Sequence, residues 1–367
     1  MRLTEFDEYP FHQHPTPFHI PYTSDVHFND GYFCAAMAED WYVAAGVRLH
    51  PNMNVIDGFA AIARNGEQRV LRASRALRPN ASGLKVGPLS FDIREPMREI
   101  GISLEPGHAD FSFLLTFNAR ALPFLEAPYR FRKNGHLIHD MVRYTQICRV
   151  NGSVTCDGVT APAQDWCAIR DHSWGVRSGM GPATPHGGAR DEDEIDLRRF
   201  RIWAPFALDR YTGFFNTHED ENGDTLDFEG AIDMPDGRRI KLVAIKHDLR
   251  YAPGTKNVVG GTFSLCDSDG DWRAYTIEAA GTPADVQGLG YYGGWNDGGN
   301  AGVYRGVGPV VETDRYPSSA AGGKTGLLSL PEAKRLGPTE FPCVMIGPDG
   351  ERGMAHFEQH IFGDYKR

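Results

Sequence analysis

The chain has 367 residues, of which 41 % are hydrophobic, 23 % charged and 11 % aromatic. That ordinary globular composition excludes a disordered, collagen-like or coiled-coil chain. With 38 Lys and Arg against 48 Asp and Glu, the formal charge is −10, which argues against a nucleic-acid binder, because neutralising phosphate needs clustered cations.

The length exceeds one ordinary core and points to two domains. Abundant glycine (42) and proline (24) argue for short strands joined by turns rather than long helices. The N-terminal stretch MRLTEFDEYPFHQHPTPFHIPY has no apolar signal region, and no run approaches 18 apolar residues. A soluble, cytoplasmic protein without membrane insertion is therefore expected.

In chain order, residues 31–72 read as strands, with a turn at Asn65-Gly66. Strands resume at LSFDIRE and REIGISLEPGHADFSFLLTFNARA. MVRYTQICRV-NG-SVTCDGVTA (141–161) reads as a hairpin turning on Asn151-Gly152, because Asn-Gly suits the turn that matches strand twist. Further hairpins are expected at 229–245, 262–279 and 343–362. No window carries a helical stripe over three turns, and LSLPEAKRL (328–336) is at most one helical turn. The fold class is all-β.

The Gly/Pro-rich stretch 178–190, passing into the charge run ARDEDEIDLRRF, places the boundary near 180–200. This gives an N-terminal β domain, 1–185, and a C-terminal β domain, 186–367. The Gly-rich segment 281–326, with Tyr291, Tyr292, Trp295 and Tyr304, reads as a lid-like loop over a pocket. Cys34, Cys148, Cys156, Cys167, Cys266 and Cys343 have no C-x-x-C spacing, and most sit in strand-like runs. They read as buried thiols.

Several motifs fail on context. Gly288-Leu-Gly290-Tyr-Tyr-Gly293 matches a dinucleotide fingerprint by letter but cannot open a helix. Gly323-Lys324-Thr325 lacks the remainder of a phosphate loop. Asp267, Asp269 and Asp271 lack the glycine of a calcium loop and read as an acidic turn. His12, His14, His19, His136 and His139 read as surface or hydrogen-bonded side chains. No cofactor and no metal are expected.

One run concentrates chemistry: Trp166-Cys-Ala-Ile-Arg170-Asp171-His172-Ser173-Trp174-Gly175-Val-Arg177. An extended backbone sends Arg170, His172 and Trp174 to one face, and Asp171 and Ser173 to the other. A bulge or turn at Gly175 would bring both sets to the mouth of a barrel. Asp171 and His172 then supply an acid and a base, with Trp174 and Arg177 at the pocket wall; the structural alternative is a corner in which Asp171 pairs with an arginine. On the last strand, His356, Glu358 and His360 alternate and share a face. Inside a barrel they hold a proton or a metal; outside it they form a solvated polar face. Further inward candidates are Tyr211, His218 and Glu219, Glu39 and Trp41, Arg305 and Glu312, and Trp295 of the Gly-rich loop.

The run RDHSWGVR between two β units resembles the lipocalin-like family of hydroxyneurosporene synthase (carotenoid hydratase), which includes kievitone hydratase and β-barrel Diels–Alder cyclases. The ending His356-Phe-Glu358-Gln-His360-Ile-Phe362-Gly363-Asp-Tyr365 is similar to that family's final strand. The resemblance implies two tandem calycin-type barrels. It leaves the reaction open, because one scaffold hosts several activities.

Adding water to a prenyl-type C=C bond needs a buried carboxylic acid, aromatic faces for the cation, and a base for water. Asp171, His172 and Glu358 are the expected catalytic groups. Trp174, Arg177, Tyr211, His218, Trp295, His356 and His360 are the expected substrate contacts. The leading reading is thus a cofactor-independent hydratase, or related cyclase or isomerase, acting on a hydrophobic isoprenoid, aromatic or steroid-like small molecule. Alternatives are a non-catalytic carrier or sensor of a lipophilic ligand, and an Asp/His-dependent hydrolase. The oligomeric state is left open, with a homodimer compatible.

Overall fold

The computed structural model describes residues 5–10, 12–38, 40–81, 83–133, 135–182, 196–291, 293–317, 338–361 and 364–366. The first sheet opens with four long strands, β1 (Phe28–Ala38), β2 (Trp41–His50), β3 (Val55–Arg64) and β4 (Glu67–Ala76). A short β5 (Lys85–Val86) precedes the meander β6 (Leu89–Glu95), β7 (Glu99–Leu104) and β8 (Phe111–Ala119). Short β9 (Phe124–Leu125) and β10 (Tyr129–Lys133) lead to the long hairpin β11 (His136–Cys156) and β12 (Val159–Arg177).

The second sheet runs β13 (Phe200–Leu208), β14 (Thr212–Glu219), β15 (Thr225–Asp233), β16 (Arg239–Tyr251), β17 (Val258–Asp267) and β18 (Trp272–Ala279). It continues with β19 (Ala284–Asp285), β21 (Thr339–Ile346) and β22 (Arg352–Ile361), whereas β20 (Val310–Pro317) joins the first sheet by pairing with β4.

The protein is all-β, with no α-helix among the described residues. In the second sheet β18 also pairs with β21, which closes eight strands into a barrel. The first sheet, in the order β20-β4-β3-β2-β1-β12-β11-β8-β7-β6-β5, is a curled half-barrel. On its concave face Trp41, Val43, Ile56, Ile62, Leu71, Phe113, Phe117 and Val150 belong to one apolar core cluster. The barrel is filled by Phe200, Phe206, Phe215, Phe263, Tyr275 and Phe357.

A third apolar layer joins the two sheets. Phe33, Ala35 and Met37 of β1, and Ala44 and Ala61 of β2 and β3, pack against Trp203 and Phe214 on the outside of the barrel. β2 and β3 are therefore buried on both faces. This explains why they read as near-continuous apolar runs instead of the alternation expected of a half-exposed strand. Small alanines at the alternate positions let the sheet approach the barrel closely.

The hairpin expected around Asn151-Gly152 is displaced. Those residues lie inside β11, where the register to β12 shifts between Val150 and Gly152, and Gly152 has φ +143°. The reversal is at Asp157-Gly158, both with positive φ (50° and 75°). Either dipeptide suits such a turn, and the Asn-Gly pair is used as a bulge. The turns at Asn65-Gly66 and in the three later hairpins stand where expected.

Within 281–326, β19 and β20 are strands, and 318–326 lie outside the described residues, as do Glu39, Tyr292, Phe362, Gly363, the Gly323–Thr325 motif and 328–336. All six cysteines are free, five buried and Cys167 half-buried. Asp267 accepts hydrogen bonds from the amides of Asp269 and Asp271 (both 3.0 Å) and from Arg273 (2.6 Å), so the acidic segment is a closed turn. No helix among the described residues is long and apolar enough to cross a membrane.

Candidate functional site

Strand alternation decides which side chains meet. On β12, Asp171 lies on the face that packs against the barrel, and His172 lies on the concave face of the half-barrel. Gly175 makes no turn: it stays in the strand, paired with Asn29 and Met141. The expected Asp171–His172 partnership therefore does not form. His172 instead contacts Asp30 (Nε2–Oδ1 2.6 Å) and stacks on Tyr32 at 4.2 Å.

On β22 the alternation holds as expected, with Ala355 and Phe357 in the barrel core and His356, Glu358 and His360 pointing outward. Neither environment considered for them applies. They are outside the barrel, yet the half-barrel covers them, and His356 is fully buried.

The shared space between the sheets holds a cluster of ionisable groups. Glu340 of β21 stands directly across from Glu358 of β22. His356 Nε2 lies 2.5 Å from Glu340 Oε2, without the alignment of a hydrogen bond. Glu358 is ion-paired with Arg201, whose Nε donates to Asn216 Oδ1 at 3.1 Å. From the half-barrel side, Arg143 grips Glu126 through Nε (2.8 Å) and Nη2 (2.5 Å), and its Nη1 is 4.0 Å from Asp171. Thr145 Oγ1 (2.5 Å) and Trp203 Nε1 (3.1 Å) also donate to Glu126.

Aromatic rings wall the cluster. Trp203, Tyr42 and Phe33 have centroids 5.5, 5.8 and 6.0 Å from that of His356. Tyr291 arrives from the Gly-rich loop, with the Arg48 and Arg177 guanidinium carbons 5.9 and 5.7 Å from its ring.

Burial disfavours the charged forms here. It pushes Glu340 up to about 8, with the Arg201 charge opposing and Asp171 reinforcing. Burial raises Glu358 too, against Arg201 and with the Glu340 charge adding to the rise. Two opposed carboxyls in so dry a place share one charge rather than carry two. Burial raises Asp171 against the pull of Arg143. It also lowers His356 to about 4 despite the neighbouring carboxylates Glu358 and Asp171. Glu126 behaves oppositely: burial raises it, but Arg143 and Thr145 outweigh that and hold it below its ordinary value. Both nitrogens of His356, Glu340 Oε2, Asp171 Oδ1 and the Tyr42 hydroxyl are buried without a hydrogen-bond partner. Such a concentration of unmet polar atoms marks a place for a guest molecule or water.

Of the residues singled out from sequence, Asp171, His356 and Glu358 come together. His360 borders them beside Arg201, His218 and Arg177, and burial lowers it to about 3. His218 is held by Asp227 at 2.7 Å. His172 and Trp174 are on the far face of β12. Tyr211 is inside the barrel, its hydroxyl donating to Tyr275 at 3.5 Å, and Glu219 contacts His247 at 2.5 Å there. Trp295 donates to the Gly290 carbonyl and packs under Arg305. Trp41 packs on Trp166, and Arg305 and Glu312 hold loop residues Asp297 and Asn296.

Glu340, Glu126, Arg143 and Arg201 were missed, whereas Tyr291 comes from the Gly-rich segment read as lid-like. Only Glu340 had a signal. The Pro348-Asp349-Gly350 turn sets the register of the last hairpin, and counting back from it places residue 340 opposite Glu358. Among the described residues, no group of three or more His, Cys, Asp or Glu side chains is arranged to hold a metal.

The fold recurs among solved structures. A crystal structure from Nitrosomonas europaea, provisionally described as an AttH, aligns over 98 % of this chain and 99 % of its own, with a TM-score of 0.55 and 12 % identity. Kievitone hydratase from Nectria haematococca aligns over 92 % and 89 %, with a TM-score of 0.45 and 9 % identity. The first likeness carries the architecture alone; the second is too distant to carry an argument. No curated protein matches. A family model does match, over residues 3–320, so the chain belongs to the family of unknown function DUF8625.

Proposed function

We propose that the cluster between half-barrel and barrel is the active centre of a cofactor-independent acid–base enzyme. The reaction would be hydration of a C=C bond, or a related isomerisation or cyclisation, in a hydrophobic isoprenoid, aromatic or steroid-like molecule. The observation that carries this reading is the contact of Glu340 with His356: a buried carboxyl 2.5 Å from a buried imidazole, neither nitrogen of which has a hydrogen-bond partner, walled by aromatic rings, where burial favours the neutral form of both.

Glu340 donates its proton to the alkene carbon. The carbocation faces Trp203 and Tyr42, whose rings stabilise positive charge. His356 removes a proton from the attacking water while the unpaired Asp171 Oδ1 accepts the water's second hydrogen bond. The imidazolium then returns its proton to the Glu340 carboxylate across their 2.5 Å contact. The balance is one water added and an enzyme restored. The acid and base roles expected for Asp171 and His172 thus pass to Glu340 and His356.

The test is turnover of a panel of prenylated aromatics, terpenoids and steroids in heavy-oxygen water, comparing wild type with Glu340→Gln and Asp171→Asn variants that melt near wild type. Heavy oxygen in a wild-type product, with Glu340→Gln slower by about 10²-fold or more, is the expected result. Ligand retention with no turnover by any protein would instead identify a carrier. Full turnover by a folded Glu340→Gln would remove this site from the chemistry.

A further inference from the structure

The concave face of the half-barrel carries a second feature, on the opposite side of β12 from the cluster above. Cross-strand register stacks its side chains in rows. Asp30, Trp174 and Val142 form the outermost row; Tyr32, His172 and Tyr144 come next; then Cys34, Arg170 and Gln146; and Ala36, Ala168 and Cys148 form the apolar floor. Exposure falls along the same direction. Trp174 is 37 % exposed, whereas Arg170 is 2 % exposed.

Arg170 is the anomaly. Its Nε donates to Gln146 Oε1 at 2.7 Å, and Gln146 is itself anchored through Nε2 to the carbonyls of Met97 (2.9 Å) and Ala121 (2.8 Å). The guanidinium is thus held in one orientation. Its Nη2 is buried with no hydrogen-bond partner, and among the described residues no carboxylate lies within 4.0 Å of it. A buried guanidinium without a counter-charge is costly, and a site so built favours an anion. Asp30, the carboxylate within these four rows, is two rows away and already engaged by His172.

The rows above Arg170 are aromatic. Tyr32 stacks on His172 at 4.2 Å and faces Phe91 of β6 at 6.4 Å. Tyr144 and Trp174 meet the same imidazole at 5.5 and 5.2 Å. From the Trp174 row to the Arg170 row is four residues, about 13 Å at roughly 3.3 Å per residue.

From this juxtaposition we propose that the concave face of the half-barrel binds a planar aromatic carboxylic acid of two or three rings. Its carboxylate meets the Arg170 guanidinium, and its rings lie among Tyr32, His172, Tyr144 and Trp174. The pairing is bidentate, which an arginine held in plane by Gln146 favours. This site is separate from the acid–base cluster and does not depend on its function.

The experiment titrates the full chain with 2-naphthoate and with 2-naphthamide, which has the same rings and no charge, by calorimetry and tryptophan fluorescence. The expected result is 1:1 binding of naphthoate at least tenfold tighter than of naphthamide. Naphthoate quenches emission in wild type, and most of that quenching is lost in Trp174→Phe, in which calorimetry shows naphthoate bound more weakly than by wild type but still in preference to naphthamide. Arg170→Met weakens naphthoate to the level of naphthamide, and Arg170→Lys lies between. Equal affinity for acid and amide in wild type, or no binding of either, overturns the proposal without any variant. Undiminished quenching in Trp174→Phe, or unchanged affinity in a folded Arg170→Met, overturns it as well.

Discussion

At the scale of single residues, Glu340 and His356 are two titratable groups displaced in opposite directions by one cause, their removal from water. The consequence for stability follows from which state binds the proton. Folded Glu340 holds its proton up to about 8, whereas an unfolded glutamate releases it near 4.5. Its contribution is complete at acid pH and is lost as pH rises through about 8. Folded His356 refuses a proton down to about 4, whereas the unfolded imidazole accepts one near 6.5. Its contribution is complete above 6.5 and is lost as pH falls toward 4. The two oppose each other in mildly acid solution and separate above pH 6.5. His50 at about 3 and Asp57 at about 6 titrate below that point, whereas Glu358, which burial raises to about 7, titrates together with Glu340, and Glu340→Gln removes that coupling as well. Between pH 6.5 and 8.5 the wild-type melting temperature should fall more steeply than that of Glu340→Gln, each unit of proton linkage being worth about 1.4 kcal/mol. Parallel slopes in thermal unfolding would place the Glu340 carboxyl in contact with solvent. If the proposed chemistry holds, activity should be flat between the two values and decline above about 8, as the acid is lost.

At the scale of elements, β12 shows what alternation settles and what it leaves open. That His356, Glu358 and His360 share a face, and that Asp171 and His172 part, follows from a period of two and was legible in the sequence. Which side of a strand becomes interior was not legible. Both faces of β1, β2 and β3 are buried, so hydrophobicity there carries no sidedness. Arg143, Arg201 and Glu126 lie on separate strands and meet only through the packing of two sheets, which no local pattern encodes. Gly175 is a glycine that the strand itself requires, without the turn expected there. Its φ is +129°, and a Cβ there would press on the Asp140 carbonyl oxygen and lie 2.7 Å from Met141 Cα. Gly175→Ala should therefore destabilise by about 1–3 kcal/mol from the backbone conformation alone. The comparison is Gly308→Ala, where a Cβ meets open space and the expected change is within about 0.5 kcal/mol. Equal melting temperatures for the two variants would show that β12 can shift away from β11 without loss.

At the scale of the molecule, the candidate site exists only because half-barrel and barrel are pressed together, and two features hold them. One is the apolar layer centred on Trp203, which is 1 % exposed and touches Phe214, His356 and the Arg143 guanidinium while bonding Glu126. The other is β20, which leaves the chain between two barrel strands, β18 and β21, to form the edge of the half-barrel. Its Asp314 is ion-paired with Arg72, a fully buried arginine of β4 that would otherwise face no counter-charge so close. This interlock argues that the two sheets unfold as one cooperative unit despite having separate cores. Trp203→Ala opens a large void in the shared layer at a cost of about 3–5 kcal/mol. It also strips a hydrogen bond from the buried Glu126, while leaving the barrel core around Phe215 untouched. Calorimetry should therefore show one transition in the wild type and a lowered, broadened or split transition in Trp203→Ala. Phe215→Ala, which damages only the barrel interior, should lower a transition that remains single. If Trp203→Ala also melts as a single sharp step, the strap made by β20 is sufficient to couple the sheets, and the aromatic layer then serves the site rather than the fold.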